Sequence, residues 1–215
     1  MHRYADRRAA GRALAPVLRG YSHRGDVTVL ALPRGGVPVG FELAQALGVE
    51  LDVFLVRKIG APSQPELALG AIASGGIRVI NRKILAQLGV EERELESSIG
   101  RETEELARRE ALYRSNRPRL ELAGRTVILV DDGLATGASM VAAVEAVRAQ
   151  GVAKVVVAVP VAPPESITRL RSVADEVVCL QSPDSFSAVG EWFEDFVQTT
   201  DAEVAQLLAA SQHPR

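Results

Sequence analysis

Val127-Ile128-Leu129-Val130-Asp131-Asp132-Gly133-Leu134-Ala135-Thr136-Gly137-Ala138-Ser139 joins an apolar run to two adjacent acids and then to a loop of small and hydroxyl residues. Four apolar residues in a row bury a strand on both faces. Two carboxylates at its carboxyl end resist desolvation and need a strong partner. The vicinal hydroxyls of a ribose, or a hydrated divalent cation, would satisfy them. Gly133 and Gly137 allow a tight turn and a close backbone approach, and Thr136 and Ser139 add hydroxyl donors. The loop opens directly into a helix, where free N–H groups and the helix dipole favour a phosphate. One short stretch therefore offers acceptors for sugar hydroxyls at one end and donors for a phosphate at the other. A simple polar turn needs neither the paired acids nor the glycine spacing. No lysine follows Gly137, so the nucleotide-binding P-loop pattern does not fit, and the dinucleotide fingerprint is absent.

Outward from this stretch, strands and helices alternate. The pattern predicts strands at Val27–Leu32, Leu51–Val56, Val127–Val130, Val155–Val159 and Glu176–Leu180. Helices are expected over Tyr4–Leu18, Val39–Leu47, Ala138–Gln150 and Glu165–Val173, with Gly48 and Gly151 as stops. This alternation implies a parallel sheet flanked by helices, with ligands bound beyond the carboxyl ends of the strands. Three strand ends become suspects: Pro33–Gly36, Arg57-Lys58 and Asp131–Ser139. Between them, Leu67–Ala73 and Ile77–Ile80 flank Ser74-Gly75-Gly76 and predict a hairpin. Glu91–Arg114 is dense in Glu, Arg and Leu and predicts a long, solvated helix with pairs such as Glu105/Arg109 one turn apart.

The segment 127–139 resembles the signature of the type I phosphoribosyltransferases: apolar strand, acid pair, then Ala-Thr-Gly and a hydroxyl residue. The remaining pattern from Val27 to Leu180 agrees with that fold. The resemblance implies a phosphoribosyltransferase-like domain over 1–215, with 61–120 as a lid hairpin plus inserted helix and 181–215 as a C-terminal hood. It implies transfer of the phosphoribosyl group of phosphoribosyl diphosphate (PRPP) to a nitrogen acceptor such as a nucleobase, with release of pyrophosphate. Asp131 and Asp132 would bind the ribose hydroxyls, and Gly133, Ala135, Thr136, Gly137, Ala138 and Ser139 would form the 5-phosphate loop. Arg34, Gly35 and Gly36 would carry the pyrophosphate, with a strained cis peptide expected near Pro33–Gly35. Arg57-Lys58-Ile59-Gly60-Ala61-Pro62 resembles a run of adenine-type members that also holds pyrophosphate. With Arg34 and Lys58 neutralising the leaving group, and Asp131 and Asp132 fixing the ring, the chemistry needs no covalent nucleophile. Magnesium would be held mainly by PRPP and water, near Asp131 and Asp132. Two lids are open, the hairpin Ala61–Ile80 and the helix Glu91–Arg114; the inserted helix is unlike compact adenine-type members.

Phe186 lies in a C-terminal segment, ahead of Trp192, Phe193 and Phe196, that loosely resembles the hypoxanthine-guanine branch. It is a candidate platform for base stacking; the competing expectation is a local aromatic cluster packing the C-terminal helix. Lys154 falls early in its strand and is not expected to read a purine.

The rest of the chain sets bounds. Net charge is −2 over 215 residues, which argues against a general nucleic-acid binder. The arginine-rich N-terminus reads as an ordinary first helix, with a transit peptide as the weaker alternative. The lone Cys179 fits a small buried hydrophobe in a reducing cytoplasm, and no apolar run reaches the roughly 20 residues that span a bilayer. The histidines His2, His23 and His213 form no metal-ligand spacing. A homodimer is expected from the family alone. A PRPP-sensing regulator on the same fold, without transferase activity, is the competing function. A phospho-acceptor receiver domain is disfavoured, because its acid pair would close the first strand.

Overall fold

The computed structural model describes residues 3–61, 64–114 and 120–211, without the side chains of residues 61, 64–68, 83 and 114. Its main sheet has five parallel strands: β1 (Val27–Ala31), β2 (Glu50–Val53), β6 (Thr126–Val130), β7 (Lys154–Val161) and β8 (Glu176–Gln181). Their order is β2-β1-β6-β7-β8. β1 and β6 lie side by side in register from Val27↔Thr126 to Ala31↔Val130, so their carboxyl ends are level. A second sheet is antiparallel, with β3 (Val56–Ala61), β4 (Gln64–Ala73) and β5 (Ile77–Ile80) in that order.

Alternation along the strands explains the layering. Val29, Ala31, Ile128 and Val130 face one apolar cluster with the helices α1 (Arg7–Leu14), α2 (Gly36–Leu47) and α7 (Asp201–Ala210). Leu30, Val127, Leu129 and Val157 face the other, with α5 (Ala138–Arg148) and α6 (Pro164–Arg171). The antiparallel sheet shares both clusters. Ile59, Leu69 and Ile72 pack with Leu95, Ile99 and Leu106 of α4 (Glu92–Arg114). Ala73, with Val56, Ile77 and Val79, packs on the α5 side. A short α3 (Arg82–Leu88), capped by Asn81, precedes α4. Among the described residues, no helix is long and apolar enough to cross a membrane.

Several boundaries differ from expectation. The run Leu51–Val56 has no punctuation, yet it splits between two sheets. β2 ends at Val53, and Val56 begins β3. Ser74 is responsible: its hydroxyl accepts the Leu55 N–H at 3.0 Å, and its own N–H donates to the Leu55 carbonyl at 2.8 Å. Arg57 and Lys58 therefore sit inside an antiparallel strand, not at the carboxyl end of a parallel one. The first helix is shorter than Tyr4–Leu18. Asp6 caps it, accepting the Ala9 N–H at 2.6 Å, and Pro16 follows its end. α2 starts three residues early, at Gly36, because Pro38 is tolerated in a first turn. The hairpin through Ser74–Gly76 forms as expected, with Gly75 and Gly76 at positive φ. Pro62, His2 and His213 lie outside the described residues.

Candidate active site

The paired ends of β1 and β6 bring two loops together. The Leu32 N–H donates to the Val130 carbonyl at 2.9 Å, so the Pro33–Gly36 turn begins against the acid pair. The Pro33–Arg34 peptide is cis, as the family resemblance implied. A methyl group on Gly35 would stand 2.0 Å from Oδ2 of Asp132, and one on Gly36 would stand 2.7 Å from the Val130 carbonyl oxygen. A larger residue at Gly36 would run into the backbone of β6, and one at Gly35 would have to displace the Asp132 carboxylate, so the two loops form one floor.

Asp131 and Asp132 are largely surrounded by protein. The Asp132 N–H donates to Oδ1 of Asp131 at 2.8 Å. Burial, and then the neighbouring charge of Asp132, pushes the Asp131 carboxyl well above the usual carboxylate range. Asp132 is also raised by burial, while Arg7 opposes the rise. The Arg7 Nε donates to Asp132 Oδ2 at 2.7 Å. Its Nη1 donates to the Val197 carbonyl at 2.7 Å, and its guanidinium lies 3.8 Å from the Phe196 ring centre.

Beyond the acids, the loop runs into α5. Gly133 is fixed by crowding, since a methyl there would meet Val189 at 2.5 Å. Gly137 has φ +69°, which favours glycine. The loop is propped from α6: the Ser166 hydroxyl donates to the Ala135 carbonyl at 2.7 Å, and Arg169 donates to the Thr136 carbonyl at 3.2 Å. Its carbonyls are thereby turned to the protein. The Ala138 N–H has only a 3.4 Å contact to the Thr136 hydroxyl. Among the described residues, the N–H groups of Ala135, Thr136, Gly137 and Ser139 donate to no protein acceptor. These are the unpaired donors of a helix start.

A cavity of about 700 Å³ opens above this floor, lined by Arg7, Arg34, Gly35 and Asp132 from below. Arg108, Arg109 and Tyr113 of α4, together with Phe196, Thr199 and Asp201, complete its wall. Arg34 faces Asp201 at 3.7 Å, and the Tyr113 hydroxyl donates to the same carboxylate at 2.5 Å. Burial, together with that bond, holds the Tyr113 hydroxyl up to about 12. A smaller adjoining cavity of about 140 Å³ is lined by Pro33, Arg57, Arg109, Asp131 and Ser139, among others.

The structure thus gathers Arg34, Gly35, Gly36, Asp131, Asp132 and the 133–139 loop. Arg57 joins them at the smaller cavity, its guanidinium held by Glu102 at 2.6 Å. Lys58 lies next to it on the strand, paired across from Ala71, and alternation turns its side chain to the opposite face. Phe186 packs against the Tyr4, Trp192 and Phe193 cluster; the aromatic rings that line the larger cavity are Tyr113 and Phe196. Lys154 binds Tyr21 and Glu176, both at 2.7 Å, and Glu176 opens β8, so this trio lies at the amino ends of the strands, far from the loops. Burial pushes the Cys179 thiol up to about 11, as suits an inert side chain.

Arg7, Arg109 and Phe196 were not singled out from sequence. For Arg7 a signal existed: a cation in the first turn of a helix opposes the helix dipole and needs another reason to be there. From sequence Arg109 was only half of a helix pair with Glu105, which forms at 2.7 Å; nothing there placed it at the site.

The phosphoribosyl transferase domain model matches residues 4–195. The chain belongs to the phosphoribosyl transferase family. Two Mycobacterium tuberculosis proteins that carry the provisional name phosphoribosyl transferase, from strains CDC 1551 and H37Rv, are each 46% identical over 208 residues, 97% of this chain. The chain spans about half, 47%, of their length. The crystal structure of TT1426 from Thermus thermophilus is similar throughout: TM-score 0.89 and 47% identity, covering 97% of this chain and 98% of that one. A protein from Aquifex aeolicus, AQ2163, shares the fold alone, with TM-score 0.54 and 12% identity over 95% of this chain and 85% of its own.

Proposed function

We propose that this domain transfers the phosphoribosyl group of PRPP to a nitrogen acceptor, to be sought first among nucleobases, with release of pyrophosphate. The observation that carries the reading is the continuity of two opposite surfaces. Acids that need hydroxyl donors lead within one loop to bare amides that need an anion. Asp131 and Asp132 accept the ribose hydroxyls and offset positive charge that builds on the ring. The amides of Ala135–Ser139 hold the 5-phosphate. Arg34, Gly35 and Gly36 lie beneath the diphosphate, with Arg57 alongside; Lys58, on the opposite face of β3, is left out of this set. The acceptor enters the larger cavity, in line with the bond that breaks.

Magnesium fits this donor set in a limited way. Among the described residues no group of three acid, histidine or cysteine side chains could cage an ion. An ion would sit beside Asp131 and Asp132, held mostly by ligand oxygens and water. When bound, it would supply charge that stabilises the leaving diphosphate.

The test is a screen of nucleobases with PRPP and magnesium, following pyrophosphate release. Release with one acceptor supports the transferase. Tight PRPP binding without release for any acceptor would make the domain a sensor. Arg34→Ala is expected to weaken PRPP about 10- to 100-fold while sparing ribose 5-phosphate, because one charge-assisted contact is lost on the diphosphate side only. Equal losses by calorimetry would undo this division of labour.

A further inference from the structure

Resting on the reading above, we infer that Arg109 of the inserted helix α4 is a diphosphate-binding residue, which with Arg57 clamps the leaving group from the side opposite the glycine loop. Arg109 lines both cavities, so it stands where the acceptor space meets the smaller recess beside Asp131 and Ser139. Arg57 lines that same recess from β3.

The two arginines are held in a similar way. Arg57 meets Glu102 Oε2 through Nε at 2.7 Å and through Nη2 at 2.6 Å, and Arg109 donates through Nε to Glu105 at 2.7 Å. Glu102 and Glu105 are three residues apart on α4 and share its face. Arg109 commits only Nε and keeps its terminal N–H fork, while Arg57, which also commits Nη2, keeps its Nη1 donors for a second anion. Both acids therefore act as positioning residues that aim a guanidinium and leave part of it open. Arg108 also binds Glu105, through Nε and Nη2, and is set apart by lining only the larger cavity. Arg108 and Arg109 share Glu105, and with Arg7 and Arg34 they set four arginines against the carboxylates of Asp132 and Asp201 around the larger cavity. A ligand with several negative charges offsets that excess, and a diphosphate has the charge and the oxygens to meet both guanidinium groups.

The chemistry follows. When the bond from the anomeric carbon to the diphosphate oxygen breaks, its electron pair leaves with the diphosphate. The acceptor nitrogen supplies the new pair to carbon and later loses its proton to solvent or base. Charge on the departing oxygens grows in this step, and fixed guanidinium donors on both sides stabilise it.

The experiment is calorimetry on the intact chain with PRPP and magnesium, with ribose 5-phosphate as the probe that lacks a diphosphate. Arg109→Gln is expected to weaken PRPP about 10- to 100-fold and to change ribose 5-phosphate less than about twofold. Arg109→Lys keeps the charge and loses the fork, so an intermediate loss is expected. Glu105→Gln is expected to follow Arg109→Gln in direction, with an unchanged melting temperature. Arg101→Gln is the control on the same helix, because Arg101 binds Ser97 and Ser98 and lines neither cavity. Unchanged PRPP affinity in both Arg109 variants, with wild-type protein binding PRPP, overturns this inference and leaves the transferase reading standing. Wild-type protein that binds neither PRPP nor ribose 5-phosphate overturns both.

Discussion

Gly35→Ala should abolish useful PRPP binding, with a loss of about 1,000-fold, although the substitution adds one methyl group. The backbone of Gly35 is not the obstacle: at φ −59° and ψ −33° any residue is at ease. The obstacle is space. The added carbon would stand 2.0 Å from Oδ2 and 2.6 Å from Cγ of Asp132. That carboxylate cannot swing away freely, since the same Oδ2 accepts from Arg7 Nε. Either Asp132 leaves its place or the Pro33–Gly36 turn lifts off the floor. On the proposed reading, the first would lose the sugar contact and the second the diphosphate contact. Two or three charge-assisted bonds at about 1.5–3 kcal/mol each account for the expected loss. Overpacking should also lower stability by about 1–3 kcal/mol. Gly25→Ala, with nothing within 4 Å of the added carbon, should change neither quantity. Calorimetry and thermal melting check both; near-normal PRPP affinity in Gly35→Ala would contradict the close packing of the two loops.

The second large effect runs in two directions. Asp131→Asn should weaken PRPP about 100-fold and yet stabilise the ligand-free protein at neutral pH. The affinity loss is expected because Asp131 is the proposed charged acceptor of sugar hydroxyls, and asparagine would be a neutral one. The stability gain follows from proton linkage. Burial raises the Asp131 carboxyl in the folded state above its unfolded value. The folded protein therefore holds more protons than the unfolded chain between those two values. Stability drops as pH rises through that window, from the ordinary carboxylate range up to the raised value, and the penalty is complete above it. Asparagine carries no such charge, and its side-chain oxygen can still accept the Asp132 N–H. The gain should appear near neutrality and vanish in acid, below both values. For a chain of this size each kcal/mol recovered raises the melting temperature by about 2–4 °C. A melting temperature that falls at neutral pH would show that Asp131 is not held at a cost in the empty site. Such a cost is the usual signature of a site arranged for a ligand and not for its own stability.

How much of this was legible beforehand depends on the range of the interactions. The acid pair and its loop were readable because strand, turn and helix start are contiguous. Val127–Val130 buries itself, Gly137 permits the turn, and α5 begins at Ala138, all within reach of local rules. Gly35 and Gly36 were readable for the same reason, as a turn at a strand end. The resemblance to a known family added the roles.

Sequence by itself determined the alternating α/β pattern, the parallel main sheet, the hairpin at Ser74–Gly76 and the passage from β6 through the 131–139 loop into α5, because each rests on spacing along the chain. Tertiary structure decided which distant side chains complete the site. Arg7 reaches Asp132 across 125 positions of sequence, and Arg57 meets Glu102 across 45. Ser74 draws Leu55 out of the main sheet in the middle of an unpunctuated apolar run. Phe196, not Phe186, reaches the cavity wall because Arg7 stacks on its ring. Hydrophobic period and turn chemistry act over a few residues, whereas the ion pairs that close this cleft exist only once β1 and β6 lie side by side and α4 folds back over them.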